Sequence, residues 1–267
     1  VEQSLPSLLS QALADLGLDL DAGVQKSLLA YLDMVLTTNQ TMNLTAITDP
    51  AEAVHKHLVD SLSALLLKDL AAQCSAQPQW LDVGSGAGLP GIPLALAVPN
   101  AQVSLVESTG KKAHFLELTL AQLGLMRRVR VYNTRAESLG LKEAPILSAK
   151  AAATAVSRGT AELPSLRETQ DAVFFRGVSR MNALCELGSP LLKVGGLLIA
   201  YKGPKAAEEM TEAARALKEF KLELAERRDF MLPGANEARV LLCLRKVAET
   251  TKRYPRPIGM AQKEPLV

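Results

Sequence analysis

Cysteine is scarce in this chain. Its three thiols, Cys74, Cys185 and Cys243, are odd in number, far apart and free of C-x-x-C or Cys/His spacing. That pattern argues against a disulfide framework and against a metal site, and it reads most simply as buried thiols in a reducing compartment. Long apolar runs are missing too: none approaches the ~18 residues of a membrane span, so no membrane association is expected. The first twenty residues, VEQSLPSLLSQALADLGLDL, carry acids rather than bases and no continuous apolar centre. They do not read as a secretory leader, and a cytoplasmic location is the expectation. No internal repeat is visible. Net charge is small, +2, but unevenly spread. Residues 1–70 hold nine acids and three Lys/Arg, net −6, which leaves +8 on the remainder and suggests a polyanionic partner for the larger part.

What is present divides into a helical opening and an alternating remainder. SLPSLLSQALADLGL, GVQKSLLAYLDMVLTT and DPAEAVHKHLVDSLSALLL space their apolar residues at three and four, and Asp49 with Pro50 makes a helix start. These three helices form an N-terminal extension, residues 1–75, with the polar loop NQTMNLTAIT before the third. From residue 76 to 248, β-rich runs at 79–83, 102–106, 129–133, 171–175 and 196–201 alternate with helices near 90–98, 111–124, 178–190 and 205–219. Such alternation predicts an α/β fold with a mostly parallel sheet. KLELAERRDF and ARVLLCLRK follow with no helix between them, so they should pair antiparallel at the sheet edge and bring it to seven strands. The Ala-rich segment 140–169 interrupts the scheme as a short helix and loop. Residues 249–267, basic and Pro-rich, read as a tail.

The stretch WLDVGSGAGLPGIPLALAVP carries the candidate binding loop. Read from Gly84 it is G-x-G-x-G, the usual opening of an S-adenosylmethionine site; read from Gly86 it is G-x-G-x-x-G, the dinucleotide fingerprint. Asp82 separates the two. A carboxylate expected at the loop's mouth repels a pyrophosphate and attracts a sulfonium and an ammonium. The difference is on the order of a few kcal/mol at an effective dielectric near 20. Glu107, closing the second strand about twenty residues beyond the glycines, suits ribose hydroxyls in either cofactor. Residues Asp82, Gly84, Ser85, Gly86, Gly88, Leu89 and Glu107 are therefore the candidate cofactor set. Ala136 and Glu137, after the third strand, are placed at the adenine by their backbone and by the Glu137 carboxylate.

NLTAITDPAEAVHKHLVDSL, LDVGSGAGLPGIPLALAVPNAQVSLVESTGKKAHFL, FFRGVSRMNALCELGSPLLKVGGLLIAYKGP and YPRPIGMAQKEPL together resemble the glucose-inhibited division protein B family, in order and over nearly the whole chain. The resemblance implies a class I S-adenosylmethionine-dependent methyltransferase, Rossmann-like, with a helical N-terminal part. It further implies methylation of N7 of one guanine in the 530 loop of 16S ribosomal RNA, met in the small subunit or an assembly intermediate, by a protein taken as a monomer. Segment 140–169 is longer than the family's connection, and Gly177 stands where alanine is commoner.

N7 already holds an in-plane lone pair, so this reaction needs no general base. Catalysis would come from alignment, worth up to ~7–11 kcal/mol, and from electrostatic adjustment. The chain accordingly shows no Ser/His/Asp or Cys/His constellation. Arg176 and Lys202 follow the fourth and fifth strands, and the resemblance places an Arg and a Lys there around substrate RNA; they would hold phosphate or guanine O6. Arg176 also belongs to the cofactor set. Asn43 is assigned to the target base or the methionyl end. Lys111, Lys112, Arg135, Arg253, Arg256 and Lys263 are candidate RNA contacts, the last three as flexible ones. His57 and Asp60 are read as a tie between the polar loop and its helix. Other readings at this point are a methyltransferase for a small molecule, an NAD-dependent oxidoreductase and a non-catalytic RNA-binding assembly factor.

Overall fold

The computed structural model describes residues 3–74, 76–141 and 164–267. Helix α1, Leu5–Leu16, ends where Gly17 turns left-handed (φ 82°) and returns its N–H to the carbonyls of Leu13 and Ala14. Helix α2, Ala22–Met42, starts on the Asp21 side chain, which accepts the Gly23 N–H, and ends at left-handed Asn43. Asp49 caps the next helical run through the Glu52 N–H at 2.7 Å, as Asp-Pro predicts. That run, here α3, comprises Pro50–Ala53, the π-helical Val54–Val59, Asp60–Leu62 and the 3-10 turn Ser63–Leu66. Helix α4 covers Lys68–Gln73. None of the described helices is long and apolar enough to cross a membrane.

Strands β1 (Gln79–Val83), β2 (Gln102–Val106), β3 (Val129–Tyr132), β4 (Gln170–Arg176), β5 (Leu192–Lys202), β6 (Leu222–Leu232) and β7 (Glu237–Lys246) form one sheet in the order β3-β2-β1-β4-β5-β7-β6. The first five run parallel, and β7 is antiparallel to both β5 and β6. The terminal hairpin is thus antiparallel as expected, but its second strand lies inside the sheet. Composition explains this. Val240 to Leu244 are all buried, which suits a strand covered on both faces, whereas β6 alternates charged, exposed residues fit for an edge.

Helices fill the connections: α5 (Gly91–Ala97), α6 (Gly110–Gln122), α7 (Ala136–Leu139), α8 (Met181–Gly188), α9 (Ala206–Glu212) and α10 (Ala214–Glu219). Residues 142–163, which include most of the predicted Ala-rich insertion, lie outside the described residues. The period of two along each strand divides the core. Trp80, Leu105, Phe174 and Ile199 pack on one face with Leu13, Leu28, Tyr31 and Leu58 of the N-terminal helices, Trp80 meeting Phe174 edge-on at 5.5 Å. Val83, Phe175, Leu198 and Leu242 face the other side with α8, α10 and Tyr254.

The last residues are not the loose tail that their prolines suggest. Tyr254 is buried edge-on against Phe220 at 4.5 Å, and Ala261 in helix α11 (Met260–Lys263) is buried. The Arg167 guanidinium donates to the carbonyls of Gly140, Thr250 and Tyr254 at 3.0, 2.7 and 2.7 Å. Arg256 grips the buried Glu186 carboxylate, Nη2 to Oε2 at 2.6 Å and Nε to Oε1 at 2.9 Å. Prolines exclude a strand but not an irregular segment whose backbone acceptors are met by side chains.

The interior position of β7 is testable by truncation. Leu242→Ala should cost about 2–4 kcal/mol, and the half-exposed Leu224→Ala on β6 under about 0.5 kcal/mol, read as shifts in the urea denaturation midpoint.

Candidate active site

The chain leaves β1 toward β2 and β3 and later returns to its other side as β4 and β5, so a crevice opens at the carboxyl ends of β1 and β4. The glycine loop fills its floor. The N–H groups of Gly84 and Ser85 both bond to the Val106 carbonyl, at 2.8 and 3.1 Å, extending the β1–β2 pairing into the loop. Glu107 secures the next turn: Oε2 accepts the N–H of Gly86 at 3.0 Å, and Oε1 accepts that of Thr109, before α6, at 2.7 Å. Gly86 is left-handed (φ 56°), which glycine adopts without penalty. Leu89 ends the loop, its N–H returned to the Ser85 carbonyl at 3.0 Å. The Tyr31 hydroxyl of α2 donates to the Ala87 carbonyl at 2.9 Å, a buried support that nothing in the helix pattern singles out.

Asp82 stands lower than its place in the sequence suggests. Its carboxylate is fully buried beneath the loop instead of standing at the mouth. Oδ2 accepts the N–H of Gly91, the first residue of α5, at 3.0 Å, and a Cβ at Gly91 would stand 2.8 Å from that oxygen and collide with Leu105. Ser85 Oγ donates to the Asp82 carbonyl at 3.0 Å. Oδ1 is buried without a hydrogen-bond partner among the described residues. Burial pushes the carboxyl up to about 7, against the lowering effects of the Gly91 N–H, the Ser85 hydroxyl and Arg176. The fixed anion assumed at the sequence level is therefore, in the protein alone, a carboxyl near its midpoint at neutral pH.

Beside the loop a small cavity is walled by Gly84, Val106, Ser108, Ala136, Glu137 and Val178, with Gln262 of α11 closing one side. Ala136 and Glu137 thus border the same cavity as the glycine loop. The Glu137 carboxylate, however, is turned to the C-terminal segment, its Oε1 accepting the Gly259 N–H at 2.9 Å.

The basic residues divide into two groups. Arg176 does not stand free at the end of β4: its Nε donates to Asp60 Oδ2 at 2.7 Å and its Nη2 to the Lys56 carbonyl. Asp60 is nearly buried and also takes Arg239 at 3.2 Å, so the cation is held by a carboxylate that needs one. Lys202 likewise is buried, its Nζ bonded to Glu209 at 2.6 Å and to the Ser179 carbonyl at 2.8 Å. Arg253 pairs with Glu219 and covers the Tyr254 ring, and Arg256 is locked to Glu186. These four were expected at RNA; the structure pairs each with a carboxylate, Arg253 at the exposed surface and the other three in part-buried contacts. Lys111, Lys112, Arg135 and Lys263 have no ion-pair partner among the described residues, and the first three lie at the carboxyl edge of the sheet, after β2 and β3.

Asn43 is exposed and serves as the left-handed end of α2. Asn39, unremarkable in sequence, holds the loop after it through the N–H groups of Leu44 and Thr45 at 2.7 and 2.9 Å. His57 ties to Thr45 Oγ1 at 2.8 Å, as read from the sequence, and burial together with Arg176 lowers it to about 4, so it is neutral at pH 7. Asp60 departs from that reading by joining α3 to β4 and β7.

A family model described as rRNA small subunit methyltransferase G matches residues 24–230. The chain belongs to the rRNA small subunit methyltransferase G family. Curated relatives agree: Ribosomal RNA small subunit methyltransferase G of Lactobacillus johnsonii is 34% identical over 98% of this chain and 99% of its own. The protein of that name from Lachnoclostridium phytofermentans is 37% identical over 96% of both chains. A solved putative O-methyltransferase from Klebsiella pneumoniae overlaps with a TM-score of 0.49 at 18% identity, over 82% of this chain and 90% of that one.

A member of this methyltransferase family has to hold a methyl donor, and the crevice fits S-adenosylmethionine on its own chemistry. The buried, unpartnered Asp82 Oδ1 calls for a donor or a positive charge, and a diphosphate would meet it with the wrong sign. Glu107 closes β2 beside the crevice with its carboxylate on the Gly86 and Thr109 N–H groups, and the glycine loop lets a ligand approach the backbone.

The raised Asp82 carboxyl sets a pH signature. The folded state binds a proton more tightly than the unfolded chain, so stability is greatest below about pH 4 for this group and is lost as pH rises toward about 7. Asp82→Asn should remove that loss and melt about 3–8 °C above wild type at pH 8, the gap closing at pH 4, as read by thermal scans. Arg176→Ala should destabilise by about 1–3 kcal/mol by leaving Asp60 half-paired, whereas Arg176→Ala with Asp60→Asn should regain most of it in chemical denaturation.

Proposed function

We propose that the protein transfers a methyl group from S-adenosylmethionine to N7 of a guanine in the 530 loop of 16S ribosomal RNA, acting as a cytoplasmic monomer on the small subunit or an assembly intermediate. Within a family of small-subunit rRNA methyltransferases, the observation that carries the reading is the orphaned Asp82 oxygen buried at the glycine loop. The donor supplies an electrophilic methyl carbon on a sulfonium.

The chain's own contribution is positioning. Asp82 and the loop it anchors hold the methionyl end, Glu107 the ribose, and the 136–137 backbone the adenine. Guanine N7 offers its lone pair without losing a proton, so no side chain has to act as a general base. This agrees with a crevice whose nearby His57 is buried, neutral and tied to Thr45. A bidentate Arg contact to O6 and N7 would cover the nucleophile, so the base has to be read through O6 and its Watson–Crick edge. Arg176 acts through Asp60, fastening the N-terminal helices to the tip of β4. Lys202 fastens the segment before α8 to α9. Phosphate contacts fall to Lys111, Lys112, Arg135 and Lys263, whose charges no carboxylate offsets among the described residues.

The decisive test compares ribosomal RNA from cells with and without the gene by strand cleavage at N7-methylguanine. One site in the 530 loop should be lost with the gene, and an unchanged pattern removes the assignment. Asp82→Ala should fold yet bind S-adenosylmethionine at least about tenfold more weakly by calorimetry, and undiminished affinity would contradict the role given to its carboxylate. Neutralising Lys111, Lys112 and Arg135 together should flatten the salt dependence of RNA binding by about 2 in log–log slope, at ~0.7 per single-strand phosphate contact.

A further inference from the structure

The C-terminal segment meets the candidate nucleoside cavity at two independent points. Gln262 is the contribution of α11 to a wall otherwise built from the ends of β1, β2 and β3 and from residues around α8. Three residues earlier, the left-handed Gly259 (φ 84°) presents its N–H to Glu137 Oε1 at 2.9 Å, and Glu137 lines the same cavity. The segment is held in this place from behind. Arg256 is forked onto the buried Glu186 and also donates to the Glu264 carbonyl at 2.8 Å, Tyr254 lies against Phe220, and Ala261 is buried, so the exposed Gln262 has anchored neighbours on both sides. The cavity itself holds only about 60 Å³, well below the ~300 Å³ at the lower end of ligand pockets. A nucleoside seated there has to extend through the open side of the cavity or displace part of its lining. Unlike the strand ends, the C-terminal segment is joined to the rest through the Gly259–Glu137, Arg256–Glu186 and Tyr254–Phe220 contacts.

We infer that the C-terminal segment around Gln262 is a working wall of the cofactor site: it moves to admit the nucleoside of the methyl donor and closes on it, with the Gln262 carboxamide hydrogen-bonding the adenosine moiety. This rests on the proposed donor. A carboxamide is suited to the task because it offers both a donor and an acceptor, as the ribose and adenine edges do. Docking of the segment and binding of the nucleoside are then coupled, each favouring the other. Gln262 is a positioning and affinity residue in this scheme and takes no part in transferring the methyl group.

The test uses the full chain with S-adenosylhomocysteine and, separately, adenosine as probes. Saturating S-adenosylhomocysteine should slow amide exchange across residues 254–263 by about tenfold or more. Gln262→Ala, an exposed change that leaves the fold intact, should weaken calorimetric affinity for both probes by a similar factor, about five- to twentyfold, with the melting temperature of the free protein unchanged. Wild-type binding of S-adenosylhomocysteine with unaltered exchange in 254–263 and an unaltered affinity in Gln262→Ala would overturn the inference while leaving the donor reading in place. A wild-type protein that binds neither probe would overturn the donor reading and this inference together.

Discussion

A carboxylate buried at the tip of a central strand constrains everything around it. Asp82 cannot reach water, so its cost is met by the backbone: the Gly91 N–H comes to 3.0 Å because α5 begins directly above the carboxyl group. That approach requires a residue without a Cβ at position 91 and a chain reversal between Val83 and Gly91, which is what the glycine run supplies. One oxygen is satisfied in this way and the other is left over. The architecture thus concentrates an unmet electrostatic demand at the crevice between β1 and β4, where an open parallel sheet also presents its ligands. Fold and chemistry share one cause here.

The N-terminal helices are part of the same construction. They cover one face of the sheet around Trp80 and Phe174, and two polar threads run from them to the crevice. Tyr31 reaches the glycine loop at Ala87, and Asp60 holds Arg176 at the end of β4 together with Arg239 of β7. A buried ion pair of this kind adds little net stability but penalises any arrangement that separates its partners. Its effect is to fix the relation of α3 to the strand ends, and so the shape of the crevice's rim.

Basic residues that look equivalent in sequence do different work for the same electrostatic reason. Arg256, Arg253, Lys202 and Arg176 each have a carboxylate within reach, and two of those, Glu186 and Asp60, are too buried to remain unpaired. Lys111, Lys112 and Arg135 follow β2 and β3 with no such neighbour among the described residues. The positive excess beyond residue 70 is therefore spent partly inside the molecule.

Local pattern alone determined the strand–helix alternation, the Asp49–Pro50 helix start, the glycine loop after β1 and the positions of Asp82 and Glu107, because each rests on periods and spacings of a few residues. The seven-stranded fold was legible for the same reason, and the family through a resemblance that runs over nearly the whole chain. Tertiary structure decided the rest: that β7 enters the sheet interior, that the final Pro-rich segment docks beside Glu137, and that Arg176 faces Asp60, 116 positions away. It also decided that burial raises the Asp82 carboxyl to about 7. Burial and the pairing of charges depend on which distant groups share a volume, and sequence spacing carries no record of that distance.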